Sequence, residues 1–376
     1  MYIPQKQLDN LRQLLSPGKV VVLYGARRTG KTTLVQEFLK EVKEPSLVVT
    51  GEDIAVHDFL ASQSVEKLRA FVGDNRLLVI DEAQRIRDIG LNLKLIVDHI
   101  EGIRVIATGS SSFDLARHVG EPLTGRKYTL LLYPLAQLEI SRTENPAQTV
   151  ANMESRLIYG SYPEVILIAD NRRREQYLKE IVASYLYKDV LELDGVRHSS
   201  KIGRLLQLIA FQIGKEVSYT ELATNLGMSK NTVERYLDLL EKAFVVFRLQ
   251  GFSRNLRKEI AKNSRYYFLD VGIRNALINN FNPVQLRDDA GLLWENYLVI
   301  ERLKKQEYLG IKTNNYFWRT YTRQEIDLIE ERGGRLYGFE MKWGKGRNRP
   351  PREWTTAYPG APWQVINREN YLEFIG

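Results

Sequence analysis

The stretch Val20 to Thr33, VVVLYGARRTGKTT, constrains this chain more than any other. An apolar run from Val20 to Leu23 leads into Gly25-x-x-x-x-Gly30-Lys31-Thr32 and then into a helical pattern through Leu34, Phe38 and Leu39. The order is strand, glycine-rich turn, helix. Glycines let backbone N–H groups turn inward around an anion, and a helix starting near Thr32 aims its positive end at the same point. Gly25, Ala26, Arg27, Arg28, Thr29, Gly30, Lys31, Thr32 and Thr33 therefore read as a phosphate cradle. Lys31 is placed for the β- and γ-phosphates of ATP, and the Thr32 hydroxyl for a Mg²⁺ ion bridging them.

At 376 residues the chain is long enough for two or three domains, and with 44% hydrophobic residues it should fold almost throughout. It has no cysteine, which excludes disulfides, thiolate catalysis and cysteine-type zinc sites. His57, His99, His118 and His198 are too scattered to form a helical metal pair. The opening MYIPQKQLDNLRQLL has no apolar core of signal-peptide length, and no stretch approaches the roughly 20 apolar residues of a membrane span. The expectation is a cytoplasmic protein with no membrane partner.

Charge is uneven. Residues 1–195 hold 25 Lys and Arg against 26 Asp and Glu, while residues 196–376 hold 29 against 20. A polyanion such as DNA would dock on the second half, although basic halves also occur in proteins that bind none.

Residues 5–15 read as an amphipathic helix ending in the turn Ser16-Pro17-Gly18. Ser46 to Val49 is a short apolar strand. Arg76-Leu-Leu-Val-Ile-Asp81-Glu82 is an apolar run ending in two acids, as in a parallel strand buried on both faces, whose carboxyl end is where ligands sit. Asp81 is placed to orient the water shell of Mg²⁺, and Glu82 to polarise the water attacking the γ-phosphate. A further strand, Ile103 to Ala107, ends in Thr108-Gly109-Ser110-Ser111, whose hydroxyls are placed to sense the γ-phosphate or to cap a helix.

These elements resemble the AAA+ ATPases. GARRTGKTT, LLVIDEAQ, ATGSSS and Gly125-Arg126 before Leu131-Leu-Tyr-Pro-Leu resemble a prokaryotic family of the AAA_14 type whose C-terminal half is a domain of unknown function, DUF4143. The likeness continues through Gly160-Ser-Tyr-Pro-Glu164, Tyr185-x-x-x-Asp189 and Tyr266-Tyr-Phe-Leu-Asp270-Val-Gly272. It implies an ATPase core over 1–130, a helical lid over 131–195, a homo-oligomer, as in a ring, and Arg126 as an arginine finger. An arginine before a strand is also an ordinary surface residue.

Residues 202–250 read as three helices and a short β element, a winged helix-turn-helix pattern over 196–252. Ser218-Tyr-Thr-Glu221 is a capping box and Gly227-Met-Ser229 a tight turn. Lys230, Asn231, Glu234 and Arg235 face out from the second amphipathic helix, where they meet either a DNA major groove or a protein surface. Arg254, Arg257, Lys258, Lys262 and Arg265, against the single acid Glu259, make either a solvated loop or a salt-sensitive phosphate contact.

The last 90 or so residues carry a second constellation. A helical run from about Leu292 to Lys305 contains Glu295 and is followed by a strand at Tyr316 to Thr320. Strands through Glu325-Ile-Asp327-Leu-Ile-Glu330 and Leu336-Tyr-Gly-Phe-Glu340-Met-Lys342-Trp343 are joined by Gly333-Gly334. Alternation puts Glu340 and Lys342 on one face and Phe339, Met341 and Trp343 on the other. Asp327 and Glu340 suit one or two Mg²⁺ ions, and Lys342 suits charge stabilisation at a scissile phosphate. The arrangement resembles the PD-(D/E)XK nucleases, with Glu295 as a further acid and metal ligand and with Ile326 where the family's name has proline.

The fold expected is α/β: a P-loop AAA+ ATPase with a helical lid, a winged helix and a PD-(D/E)XK nuclease-like domain over 253–376. Two functions follow. The first is an oligomeric Mg²⁺-dependent ATPase that binds DNA, branched or otherwise structured, through residues 196–376 and carries a metal-dependent nuclease. The second is an ATP-controlled binding switch with a silent nuclease fold.

Overall fold

The computed structural model describes residues 2–110, 123–186, 199–254, 263–344 and 349–376. Ser111, Asp189, Arg257, Lys258 and Lys262 lie outside the described residues. The chain divides into two compact units, residues 2–134 with 242–244, and residues 135–241 with 245–376.

In the first unit the apolar runs form a parallel five-stranded sheet of β1 (Val20–Tyr24), β2 (Ser46–Thr50), β3 (Leu77–Asp81), β4 (Arg104–Gly109) and β5 (Lys127–Leu131), in the order β2-β3-β4-β1-β5. Because strand side chains alternate, the same strands feed two cores. Val20, Val22, Leu78, Ile80, Val105 and Ala107 pack with Leu68, Leu93 and Ile96. Val21, Leu23, Leu77, Val79, Ile106 and Leu130 pack with Leu11, Leu34 and Phe38. Each such side chain contributes about 1.5–3 kcal/mol by leaving water, so apolar helices are held on both faces. The carboxyl ends of β1, β3 and β4 then open on one edge.

The second unit is built on a seven-stranded sheet ordered β12-β11-β10-β9-β7-β8-β6. Its strands are β6 (Glu216–Val217), β7 (Val246–Gly251), β8 (Ser264–Phe268), β9 (Asn314–Arg319), β10 (Glu325–Arg332), β11 (Arg335–Met341) and β12 (Trp363–Ile366). Helices Ser199–Phe211, Tyr219–Leu226 and Lys230–Lys242 alternate with β6 and β7 in the order helix, strand, helix, helix, strand, strand. A 19-residue helix, Ala290–Tyr308, precedes the antiparallel run β9-β10-β11, and β12 adds parallel to β11. Parallel pairing of Gln250 with Tyr316 and Gly251 with Phe317 joins β7 to β9. Position 252/253 thus lies inside one continuous sheet.

From Leu135 onward the segment that sequence assigns to a lid is compact with the second unit. The Glu301 carboxylate accepts from the Gln137 N–H at 2.6 Å, and Lys304 Nζ donates to the Leu135 carbonyl and Ser161 Oγ, both at 3.2 Å. Asp270 accepts from the Ser161 N–H at 2.7 Å. A Cβ at Gly160 would stand 2.0 Å from Asp270 Oδ1, and one at Gly272 would stand 2.1 Å from the Tyr159 carbonyl. Gly160-Ser-Tyr-Pro and Asp270-Val-Gly272 are therefore two halves of one backbone crossing that admits no side chain. Among the described residues no helix is long and apolar enough to cross a membrane.

Candidate nucleotide site and carboxylate cluster

The phosphate loop runs off the end of β1 and turns at Gly30, whose φ of 95° belongs to the left-handed region, into the helix Lys31–Leu39. Lys31 is buried, with Nζ donating to the carbonyls of Gly25 and Ala26, both at 2.9 Å, so its ammonium lies over the cradle. Thr29 Oγ1 donates to the Ala26 carbonyl at 2.9 Å and closes the turn. Gly25 is required by space, since a Cβ there would stand 2.1 Å from the Leu132 carbonyl. Arg27 is half-buried, while Arg28, Thr32 and Thr33 lie at the surface. The buried Gln5 amide donates to the Thr29 carbonyl at 3.0 Å and backs the loop, a role without any sequence signal.

Asp81, at the end of β3, ties the edge together. Thr32 Oγ1 donates to its Oδ2 at 2.9 Å, and the Thr108 hydroxyl, at the end of β4, donates to its Oδ1. Thr108 in turn accepts from the Glu82 N–H at 3.2 Å. Glu82 has a left-handed backbone, φ 50°, a conformation costing about 1–2 kcal/mol that clusters at functional sites. Its carbonyl abuts Gly51, where a Cβ would stand 2.4 Å away. Gln84 Nε2 bridges Glu82 Oε2 at 2.6 Å and Ser110 Oγ at 3.2 Å. Thr32, Asp81, Glu82 and Ser110, expected from sequence, are thus brought together. Thr108, whose hydroxyl the sequence offers for sensing the γ-phosphate or for capping, bonds Asp81, and Gln84 joins as a bridging group that sequence reasoning did not assign.

Arg126 is not brought to this site. Its carbonyl accepts from the Val20 N–H at 2.8 Å, at the amino end of β1, and its guanidinium pairs with Asp98 at 2.6 Å. The five-residue strand β1 separates it from the loop by about 16 Å at about 3.3 Å per residue.

In the second unit, Leu328 pairs with Phe339, so the antiparallel step beyond puts Asp327 opposite Glu340. Like charges directly opposed on two strands repel, and cations answer them. Lys342 Nζ lies 2.5 Å from Glu340 Oε1. Arg265, on β8 and 4% exposed, reaches over the Phe317 ring at 4.6 Å. Its Nη1 lies 3.4 Å from Glu295 Oε1 and 3.6 Å from Asp327 Oδ1, and its Nη2 lies 2.9 Å from Glu325 Oε2. Tyr267 Oη donates to Glu295 Oε1 at 2.7 Å, and the Met341 N–H donates to Asp327 Oδ2 at 2.8 Å. Glu340 Oε2 is buried and has no hydrogen-bond partner.

Burial, then the neighbouring Asp327, pushes Glu295 up to about 8 and Glu340 up to about 7. Burial likewise raises Asp327. Burial alone would lower Arg265 and Lys342, but the surrounding acids hold both above their ordinary values. Glu295, expected as a metal ligand, accepts hydrogen bonds from Tyr267 and Arg265 on Oε1. Among the described residues no set of three or more His, Asp or Glu side chains is gathered to hold a metal ion. The orphaned Glu340 oxygen and the opposed Asp327 do fit one hard cation with oxygen ligands. Sequence places Arg265 in a basic run and Tyr267 in the Tyr266–Gly272 motif but gives neither a part in this cluster, because they belong to a strand about 60 residues upstream of Asp327.

On the helix Lys230–Lys242, Val233, Tyr236, Leu237 and Leu240 are buried while Lys230, Asn231, Glu234 and Arg235 are exposed. Ser218 caps the helix Tyr219–Leu226 by accepting from the Glu221 N–H.

Residues 17–141 match the AAA domain family, residues 150–284 a domain of unknown function (DUF8612), and residues 290–367 a domain of unknown function (DUF4143). The chain is 30% identical over 337 residues to the uncharacterized protein Rv2008c of Mycobacterium tuberculosis, covering 88% of this chain and 72% of that one. It is 24% identical to the uncharacterized protein MJ1544 of Methanocaldococcus jannaschii, covering 84% of this chain and 73% of that one. Among solved structures it is similar to the Walker-type ATPase PABY2304 of Pyrococcus abyssi, with 16% identity, a TM-score of 0.48, and coverage of 73% and 93% of the two chains.

Proposed function

The chain belongs to the family of the uncharacterized Mycobacterium tuberculosis protein Rv2008c, and from that footing we propose that it is an oligomeric, Mg²⁺-dependent ATPase that acts on DNA and carries a nuclease module. The AAA domain and the P-loop α/β fold make the first unit an ATPase. The observation that carries the proposal is the bridging of Thr32 and Thr108 by one carboxylate, Asp81, at the end of a phosphate loop whose carbonyls hold the Lys31 ammonium. Lys31 and the loop N–H groups hold the β- and γ-phosphates, and Glu82 accepts the proton of the attacking water. Thr32 and Asp81 are the residues that would hold Mg²⁺, whose charge offsets that of the phosphates. Gln84 keeps Glu82 in hydrogen-bond contact with Ser110, so a change at the γ-phosphate is felt at the base.

DNA is assigned to the second unit. The order helix, strand, helix, helix, strand, strand over 199–268 supports a winged helix, and the basic excess of residues 196–376 supports a phosphate-backbone partner. The helix followed by β9-β10-β11, with Asp327, Glu340 and Lys342 at the strand ends, supports a PD-(D/E)XK-type nuclease. Asp327 and Glu340 would hold a divalent cation that supplies activated water, and Lys342 offsets charge developing on the phosphate. Arg126, about 16 Å from its own loop, suits a finger acting on a neighbouring copy in a ring.

A second reading is favoured by Arg265 standing among the carboxylates. In it the nuclease fold only holds DNA, and the ATP state controls binding. Purified protein with Mg²⁺ and ATP, assayed on single-stranded, duplex and branched DNA, separates the two. Binding with cleavage of at least one form is expected. Binding without cleavage in either Mg²⁺ or Mn²⁺ leaves the switch, and no DNA binding in any nucleotide state overturns both.

A further inference from the structure

We infer that Arg265 is a built-in cation of the carboxylate cluster, filling the place a second divalent ion would take, so that the site admits one divalent ion, between Asp327 and Glu340. The inference rests on reading Asp327 and Glu340 as cation ligands. Arg265 reaches three carboxylates, Glu295, Asp327 and Glu325, at 3.4, 3.6 and 2.9 Å. Its side chain is 5% exposed, and its Nε is buried with no hydrogen-bond partner. A guanidinium used only for structure would be expected to satisfy that donor. Here the group is aimed instead by the Phe317 ring under it, so that its charge falls between Glu295 and Asp327. Tyr267 donates to the same Glu295 oxygen, Oε1, and Glu216, which pairs with Arg265 across β6 and β8, binds Arg319 and accepts from Asn263 at 2.6 Å.

A fixed guanidinium differs from an ion in a useful way. It cannot be deprotonated or exchanged, so one positive charge stays among Glu295, Asp327 and Glu325 whether or not metal is present. At Glu340, Lys342 meets Oε1 at 2.5 Å while the buried Oε2 lacks any partner. Arg265 is thus a positioning residue that sets ion number, and its strand, β8, also pairs with β7 in the winged-helix-like part of the sheet.

The test is Mn²⁺ binding to the full chain without nucleotide, counted by calorimetry and by electron paramagnetic resonance. Wild type should bind one ion that is lost in Asp327→Asn, and Arg265→Gln should bind one ion more than wild type. Arg265→Lys, which keeps the charge, should gain none. If wild type binds no such ion but Arg265→Gln binds one, Arg265 takes the place of an ion, while the one-ion site between Asp327 and Glu340 and the metal-dependent nuclease reading both fail. If Arg265→Gln gains no ion, or wild type already binds two that Asp327→Asn removes, the inference is overturned. Should Arg265→Gln not fold in metal-free buffer, Mn²⁺ during purification or the added change Glu295→Gln should restore its thermal transition. Restoration by neither also overturns it.

Discussion

The Thr32 hydroxyl and the Asp81 carboxylate are hydrogen-bonded at 2.9 Å, across two strands that β4 keeps apart. The phosphate loop and the Asp81 carboxylate are thereby held in register with Thr108, which comes from the intervening strand.

Lys31→Ala removes the ammonium that lies over the cradle. ATP hydrolysis should fall to near background, measured as phosphate release at saturating ATP. Hydrolysis at more than about a tenth of the parental rate would remove Lys31 from the assigned role, since loss of such a charge is worth several powers of ten.

Glu82→Gln should keep ATP bound and slow its hydrolysis by about 10²–10⁴-fold, because only proton acceptance is lost. Thr108→Val should leave binding intact and lower kcat by about tenfold, through a misplaced Asp81 and Glu82 N–H. Binding by equilibrium dialysis beside kcat gives the pattern, and an unchanged kcat in Glu82→Gln assigns the base elsewhere.

Asp327→Asn and Lys342→Ala should each abolish Mg²⁺-dependent DNA cleavage while leaving ATP hydrolysis within about twofold. The two sites lie in separate compact units, each with its own acids. Cleavage surviving in both variants points away from this cluster.

Lys230→Ala with Arg235→Ala should weaken duplex binding for all sequences about alike. Removal of two phosphate contacts should lower the slope of log K against log salt by about 2. A titration between low and physiological salt reads this out, and an unchanged slope takes DNA off this helix face.

Asp289 lies 2.8 Å from Arg287 and also pairs with the buried Arg274, and these two hold its carboxyl down at about 2 against the cost of burial. A depressed carboxyl contributes stability that is present above the unfolded value of 3.8 and is lost as pH falls toward about 2. Asp289→Asn should cost about 2 kcal/mol or more at pH 7 in urea unfolding, with the deficit shrinking below pH 4. A deficit that does not change between pH 7 and pH 3 would mean that the charge is not what matters.

Much was legible in the sequence because it depends on local rules. Gly25, Gly30, Lys31 and Thr32 announce an anion cradle, since backbone N–H direction and a helix start are set within a dozen residues. The apolar runs at Val20 and Leu77 announce buried parallel strands, and the exposed Lys230, Asn231, Glu234 and Arg235 follow from helical period alone. The hairpin through Gly333 and Gly334 likewise brings Asp327 and Glu340 face to face by alternation.

What only tertiary structure decided depends on groups far apart in the chain. Sequence could not place Arg126 at the wrong end of β1 for its own nucleotide, because that needs the pairing of β5 with β1. Nor could it show that Leu135 onward is locked to the second unit, since Gln137 meets Glu301 and Ser161 meets Asp270 across more than 100 residues. Arg265 is the clearest case: in sequence it ends a basic run, the pattern of a solvated loop, yet strand β8 buries it among Glu295, Asp327 and Glu325. A charge inside a fold is kept by the opposite charges packed against it, and those partners are assigned by the topology of the sheet.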